Sequence, residues 1–336
     1  MNRSTQRKCI GISLIIVMLL QISIIYLIMN NESTVKNIVA SESANDIEAI
    51  SNKTIHTVVY IQSDDRSGSG IIVSEDGYIL TNDHVVSGAK NISVRTGDRR
   101  IFRASLIGED PQTDVALLRI KANNLPTIEF GDSDAVKVGE KVVAIGNPFG
   151  FDFTVTTGII SAKHRERGPT EYRDFLQTDA SINPGNSGGP LINMDSKLIG
   201  ITTFIVSDIR SGELGFAIPI NLIKKIMDRL VIYGKVERSY LGVSLQDKIS
   251  LDNENNGRIL DGSEIVSLDS KGPAINSGFK IGDMIISING QKLTDSNQLR
   301  NYIALLPVGE EINVTVLRGG KDLTFKLKTA LRPTKF

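Results

Sequence analysis

Gly185-Asn186-Ser187-Gly188-Gly189-Pro190 is the stretch on which the reading of this chain turns. Its serine gains meaning from two upstream segments, Thr81-Asn82-Asp83-His84-Val85-Val86 and Asp114-Val115-Ala116-Leu117-Leu118. A Ser hydroxyl is a poor nucleophile at neutral pH. It needs an imidazole to take its proton and a buried carboxylate to fix the imidazole's tautomer and stabilise its charged form. Ser187, His84 and Asp114 are the candidates for those three roles. An oxyanion hole further requires backbone N–H groups that converge through tight, unhindered turns. The N–H groups of Gly185 and Ser187 are the candidate donors.

The order along the chain is His, Asp, Ser, which is the order of chymotrypsin-type enzymes and not of subtilisins or α/β-hydrolases. A Gly-x-Ser-x-Gly nucleophile elbow does not fit, because no strand runs into a helix here. Short apolar runs, Leu191-Ile192 and Leu198-Ile199-Gly200-Ile201, follow instead and read as strands. The rival carboxylate, Asp110, reads as the start of a turn at Pro111. His56 and His164 sit in no comparable context.

With 336 residues the chain has room for two domains beside a tail. Lys plus Arg and Asp plus Glu both number 38, so no bulk charge points to nucleic acid or to an acidic substrate. Cys9 is the single cysteine, which excludes an internal disulfide, and His56, His84 and His164 are too scattered to form a Cys/His metal motif. No metal or cofactor is expected. Arg3, Arg7 and Lys8 precede an apolar stretch from Ile10 to Met29. As a helix it rises about 30 Å, enough to cross a bilayer core. No small-residue cleavage site follows it, so an uncleaved anchor is expected, with residues 1–9 inside and the rest outside. Residues 30–52 turn polar and read as a tether, a short helix from Asn45 to Asn52 being the alternative.

Residues 53–234 carry short β-branched runs separated by Gly, Asp and Asn, as in Thr57-Val58-Val59-Tyr60-Ile61 and Lys141-Val142-Val143-Ala144-Ile145. That pattern predicts a mostly β domain of barrels or sandwiches. Leu222, Ile223, Ile226, Leu230 and Val231 then recur at helical spacing, and Gly234 ends that helix. A linker, Gly234 to Ser239, leads to a second region over residues 239–331. In it, Asn289-Gly290 predicts a hairpin turn, Ser296 to Leu306 a helix, and Glu311–Arg318 with Asp322–Lys328 a hairpin around Gly319-Gly320.

The chain resembles the HtrA/Deg family of trypsin-like serine proteases, and within it the membrane-anchored, single-PDZ, DegS-like branch. The matching stretches include Gly68-Ser69-Gly70-Ile71-Ile72, Asp110-Pro111-Gln112-Thr113-Asp114, Gly146-Asn147-Pro148-Phe149-Gly150 and Gln177-Thr178-Asp179-Ala180-Ser181-Ile182-Asn183. They extend from about residue 50 to the C-terminus. The resemblance implies a chymotrypsin-type double barrel of two six-stranded β-barrels, with His84 and Asp114 on the first and Ser187 on the second. It implies that residues 239–331 are a PDZ domain whose carboxylate-binding loop is Tyr240-Leu241-Gly242-Val243. It places Arg165, in the charged run Lys163 to Pro169, in a sensor loop that links PDZ occupancy to the active site. It further implies a homotrimer at the bacterial inner membrane with its domains in the periplasm. In that role C-termini of misfolded outer-membrane proteins bind the PDZ domain and switch on cleavage of a membrane-bound anti-sigma factor in a stress response.

By the same likeness, Ser181, six residues before Ser187, falls at the base of the primary specificity pocket. Without a carboxylate there, a Lys or Arg substrate residue would bury an unpaired charge, so small or medium aliphatic residues are expected, in a pocket shaped by Ile201 and Phe204 to Val206. Apolar Leu241 and Val243 predict a hydrophobic last residue on the PDZ ligand. Two other functions compete with regulated cleavage: broad quality-control degradation of unfolded envelope proteins, and a PDZ adaptor or chaperone with little proteolysis.

Overall fold

The β-branched run that starts at Val58 pairs with the glycine-rich segment after it, and that hairpin begins the first barrel. This computed structural model describes Tyr26 and residues 46–147, 153–165, 170, 174–183, 185–208, 212–252, 257–293 and 295–333. The chain divides into a Met1–Lys53 unit and a Thr54–Phe336 unit. In the first, residues 46–53 are helical, so the end of the expected tether takes the alternative, helical form. The expected anchor, 10–29, lies outside the described residues apart from Tyr26, and no described helix is long and apolar enough to cross a membrane.

In the second unit, β1 (Val58–Ser63), β2 (Arg66–Ile72), β3 (Tyr78–Thr81), β4 (Ile92–Arg95), β5 (Ile101–Asp110) and β6 (Val115–Ile120) form a closed barrel in the order β1-β2-β3-β6-β5-β4. Val59, Ile61, Ile72, Ile79 and Leu118 are fully buried and fill it, as period-two alternation on a closed sheet requires. The second sheet contains β7 (Glu129–Phe130), β8 (Lys141–Gly146), β9 (Thr154–Arg165), β10 (Phe175–Thr178), β11 (Pro190–Asn193), β12 (Lys197–Asp208) and β13 (Gly212–Pro219). Its order is β11-β8-β9-β10-β13-β12-β7, and a β11–β12 pairing closes six of the strands into a ring with β7 appended. Ile160, Leu176, Leu191 and Ile199 form its core.

The expected helix spans Ile220–Tyr233 and stops at Gly234, whose φ of 69° and N–H bond to the Leu230 carbonyl make a left-handed cap. Ile220, Leu222, Ile223, Ile226 and Leu230 are buried. Val231, assigned to the apolar face by periodicity, is instead exposed with Ile232 and Tyr233, because a helix turns it about 100° from Leu230, off the stripe that Leu222, Ile223, Ile226 and Leu230 bury.

The C-terminal region builds a sheet from β15 (Val243–Asp252), β16 (Gly257–Leu268), β17 (Met284–Ile288), β19 (Glu311–Arg318) and β20 (Lys321–Lys328), with β18 (Gln291–Lys292) on β17; β14 (Ser239–Tyr240) pairs separately with β21 (Ala330–Leu331). Asn289 and Gly290, at φ 50° and 80°, make the predicted hairpin turn. The Ser296–Leu305 helix is capped by the Asp295 side chain, and its Leu299 and Ile303 join the core with Ile285 and Val314.

One buried ion pair fastens the linker to the first barrel. The Arg238 guanidinium binds the Asp110 carboxylate, with side chains 3% and 4% exposed, and Thr113 Oγ1 donates to the same carboxylate. Burial pushes the Asp110 carboxyl up, and Arg238 opposes that shift. Asp110 does end a strand before the Pro111 turn, but its side chain serves this pair. Arg238→Met leaves a buried charge, and the unfolding free energy of the barrel region should drop by about 3–5 kcal/mol. Thermal melts of Arg238→Met and of Asp110→Asn/Arg238→Met test this, with most of the loss recovered in the double variant. A single variant that melts with the wild type would show that the pair holds nothing.

Candidate active site

Strand register brings His84 and Asp114 together. Thr81 pairs with Ala116 across β3–β6, so the Asp83–Val86 helix that leaves β3 meets the turn that enters β6. Asp114 closes that turn with φ 59°, a conformation costly for a residue other than glycine, and Asn82 Nδ2 fixes it by donating to the Asp114 carbonyl at 2.9 Å. The buried Asp114 carboxylate accepts from the His84 backbone N–H (2.9 Å) and lies 2.8 and 2.9 Å from His84 Nδ1. Two bonds to one imidazole residue set both ring position and tautomer, leaving Nε2 as the basic nitrogen. The His84 side chain is half exposed, as a proton carrier to substrate must be.

Ser187 lies in the turn before β11. Gly188 N–H donates to the Thr202 carbonyl (2.8 Å) and Thr202 N–H to the Gly189 carbonyl (2.9 Å), which extends the β11–β12 ladder and sets Thr203 beside Ser187. Thr203 then touches two expected site residues. Its Oγ1 donates to Asp114 Oδ2 at 2.5 Å, and its carbonyl accepts from Ser187 Oγ at 3.0 Å. Among the described residues, Ser187 and His84 share no hydrogen bond. The nucleophile candidate rests on the Thr203 carbonyl.

A second hydroxyl organises the turn that carries the candidate oxyanion donors. Buried Ser69, on β2, donates through Oγ to the Gly185 carbonyl (2.6 Å) and accepts there from Asn147 N–H (2.8 Å). Its own N–H donates to the Ser187 carbonyl at 2.8 Å, and its carbonyl accepts from Thr81 Oγ1 at 2.7 Å. Turning the Gly185 carbonyl onto Ser69 leaves the Gly185 and Ser187 N–H groups without an acceptor among the described residues. Gly188 has to be glycine here. Its φ is 85°, and a Cβ would stand 2.1 Å from the Ser69 carbonyl oxygen.

Neither Ser69 nor Thr203 was singled out from sequence for a role. Ser69 stands in a quoted matching stretch, and that context is the one signal pointing to it. Of the residues expected to shape the pocket, Ile201 is fully buried and Phe204 stacks on Phe216 at 4.8 Å, edge-on to Phe175 at 5.0 Å. Val206 has no described side chain. Ser181 is exposed, its carbonyl accepting from Thr156 Oγ1 at 2.9 Å. Arg165 ends β9 and donates through Nε to Gln177 Oε1 at 2.8 Å, while the neighbouring His164 pairs with Asp174 at 2.9 Å. Residues 166–169 of the expected sensor loop lie outside the described residues.

Tyr240, Leu241, Gly242 and Val243 line one wall of a cavity of about 610 Å³, with Leu299 and Ile303 of the Ser296–Leu305 helix opposite. The loop is held by Ala274 N–H on the Leu241 carbonyl (2.9 Å) and Asp269 N–H on the Gly242 carbonyl (2.8 Å). Burial and then the nearby Asp269 carboxylate push the Tyr240 hydroxyl up.

Residues 68–201 match the trypsin-like peptidase domain family and residues 239–329 the PDZ domain family. A probable periplasmic serine endoprotease, DegP-like, of Marinomonas sp. (strain MWYL1) is 44% identical over 276 residues, covering 79% of this chain and 57% of that protein. The chain therefore spans little more than half the length of such curated relatives. The solved structure of the HtrA-type protease AlgW with decapeptide superposes with a TM-score of 0.71 at 35% identity, over 85% of this chain and 99% of that one. AlgW with tripeptide gives 0.73 at 38% identity, over 85% and 97%. The chain belongs to the HtrA-type serine endoproteases, trypsin-like hydrolases that here carry a single PDZ domain.

Thr203→Val removes the Asp114 donor while keeping the carbonyl that holds Ser187. Peptide-hydrolysis kcat/KM should fall roughly tenfold, through kcat, about 1.4 kcal/mol of transition-state stabilisation. An unchanged kcat would remove Thr203 from the site. Ser69→Ala leaves two backbone groups unpaired and should cost about 1–3 kcal/mol of stability, read as a lower denaturant midpoint.

Proposed function

We propose that the chain is a membrane-anchored envelope endopeptidase whose proteolysis is controlled by peptides at its PDZ groove. The observation that carries the catalytic part is the Asp114 carboxylate, held by both His84 and Thr203, with Ser187 on the far side of Thr203. Ser187 Oγ attacks the scissile carbonyl as His84 Nε2 takes its proton, and Asp114 stabilises the imidazolium that forms. The Gly185 and Ser187 N–H groups receive the developing oxyanion. His84 then protonates the leaving amine, and a water deprotonated by His84 releases the acyl group from Ser187.

The resting hydrogen bond of Ser187 to Thr203 supports control of this step. A ligand that favours the Ser187–His84 arrangement shifts the population toward the active form by its differential affinity for the two states. The PDZ groove supports a C-terminal peptide as that ligand, with its last side chain apolar against Leu241, Leu299 and Ile303. The AlgW structures hold a decapeptide and a tripeptide, and that likeness favours peptide-controlled cleavage. The resemblance read in the sequence extends this to a membrane-bound regulator such as an anti-sigma factor, cut by a trimer at the inner membrane. Arg165, at the base of the sensor loop, is assigned to the coupling. Broad degradation of unfolded proteins is the competing reading.

Cleavage of an unfolded substrate by the full chain, with and without peptides ending in aliphatic or aromatic residues, separates the readings. Regulated cleavage predicts low basal activity that rises with peptide and falls on the order of 10⁶-fold in Ser187→Ala. Strong activity without peptide would favour quality control. No activity, and no labelling by a serine-reactive probe with peptide present, would leave an adaptor. Cleavage sites should follow Val or Ala; cleavage mainly after Lys or Arg would overturn the assignment of Ser181 to the pocket floor.

A further inference from the structure

Behind the His84–Asp114 contact lies a group of carboxyls that the catalytic steps do not use. Asp83, the first residue of the helix that carries His84, is 7% exposed. Its Oδ1 and Glu109 Oε2 are both buried and have no donor. Strand register brings them into reach: Thr81, two residues before Asp83, and Glu109 on β5 both pair with Ala116 of β6, and the two carboxyls are close enough to hydrogen-bond to one another. Two ionised carboxylates only accept, so this contact is a hydrogen bond only when one of them carries a proton.

The surroundings leave that proton as the neutralising charge. From the first barrel, Asp110 on β5 and Asp114 before β6 add negative potential at Asp83. The cations nearby are engaged elsewhere. Arg66 on β2 donates to the His84 and Ser87 carbonyls. Arg238 binds Asp110. Arg229, on the Ile220–Tyr233 helix, donates to the Glu237 and Leu305 carbonyls. Lys235, whose backbone bridges to Glu109, pairs with Glu237 at 3.3 Å. On Asp83's own helix the titratable neighbour is His84.

We infer that Asp83 and Glu109 share one proton and act as a positioning and charge-setting pair for His84, tying its helix to the Gly234–Arg238 linker. The link to the linker is direct, since Glu109 N–H donates to the Gly234 carbonyl at 3.2 Å. Burial, and then the Glu109 charge, push Asp83 up to about 7. Below that pH the pair carries one negative charge, and above it two. The second charge adds to the negative potential at the start of the helix that carries His84. The catalytic part of this inference rests on His84 being the general base; the shared proton does not.

The sign for stability follows from the raised value. Between the unfolded carboxyl's ordinary range near 4 and about 7, the folded chain binds the extra proton. The stabilisation is therefore full below that window and is lost as pH rises through about 7. Asp83→Asn replaces the shared proton with a permanent amide donor to Glu109, and Glu109→Gln does so from the other side. Full-length wild type and both variants, each also carrying Ser187→Ala, would be melted from about pH 5 to 8.5. In the two variants the fall in Tm through neutral pH should be lost. With Ser187 intact, the plateau of kcat/KM should stay within roughly threefold of the wild type.

Variants that reproduce the wild-type dependence of Tm on pH would overturn the inference. A lost pH dependence of Tm, with no peptidase activity in the chain that keeps Ser187, would uphold the shared proton while removing the catalytic assignment. If Asp83→Asn does not fold, Glu109→Gln decides.

Discussion

The site depends on one buried carboxylate. Asp114 belongs to the first barrel, yet the hydroxyl that completes its coordination, Thr203 Oγ1, comes from β12 of the second sheet. A carboxylate so placed has lost most of its water, and desolvation is tolerable only when donors replace it. The His84 backbone N–H, His84 Nδ1 and Thr203 Oγ1 are those donors. Their geometry can form only when the two barrels are docked. The requirement to satisfy Asp114 thus orients His84 and at the same time fixes how the halves of the domain meet.

Ser69 repeats the logic from the other direction. It is a β2 residue of the first barrel, and its hydrogen bonds run to Gly185 and Ser187 in the turn of the second and to Asn147 after β8. A hydroxyl suits this position because it donates and accepts at once. An alanine would leave both backbone partners unpaired, and a larger side chain would meet the glycine-rich turn. The barrels are therefore joined by short polar contacts at the site itself, where preorganised dipoles are of most use to developing charge.

The parts of this site legible in the sequence were the ones encoded locally. His84, Asp114 and Ser187 each sit in a segment whose neighbours carry part of the chemistry, and the strands announce themselves by β-branched runs. Ser69, Thr203 and Arg238 act across contacts of 116, 89 and 128 residues in sequence. A serine, a threonine and an arginine at such separations carry no local signature, since only the closed sheets bring their partners to them. Val231 shows a related gap. Its apolar character suggests the buried face, but a helix turns it about 100° from Leu230 and out of the stripe that packs on the sheet. Asp83 was read only as part of the histidine's setting, because burial, the property that makes its carboxyl unusual, is a product of the fold.

Distribution of charge around the linker connects these points. Asp110, four residues before Asp114, takes Arg238 from the linker, and Glu109 takes the Gly234 carbonyl through its own N–H. Arg229 reaches from the protease helix to the Leu305 carbonyl, at the end of the helix that lines the PDZ groove. The groove, the linker and the turn bearing Asp114 are thus joined by hydrogen bonds and ion pairs. Polar contacts of this kind have discrete donors that can be exchanged at small cost, whereas a packed core admits few alternatives. A bistable element must stand at one end of such a chain of contacts for it to transmit anything. In the proposed function that element is the Ser187 hydroxyl, which rests here on the Thr203 carbonyl.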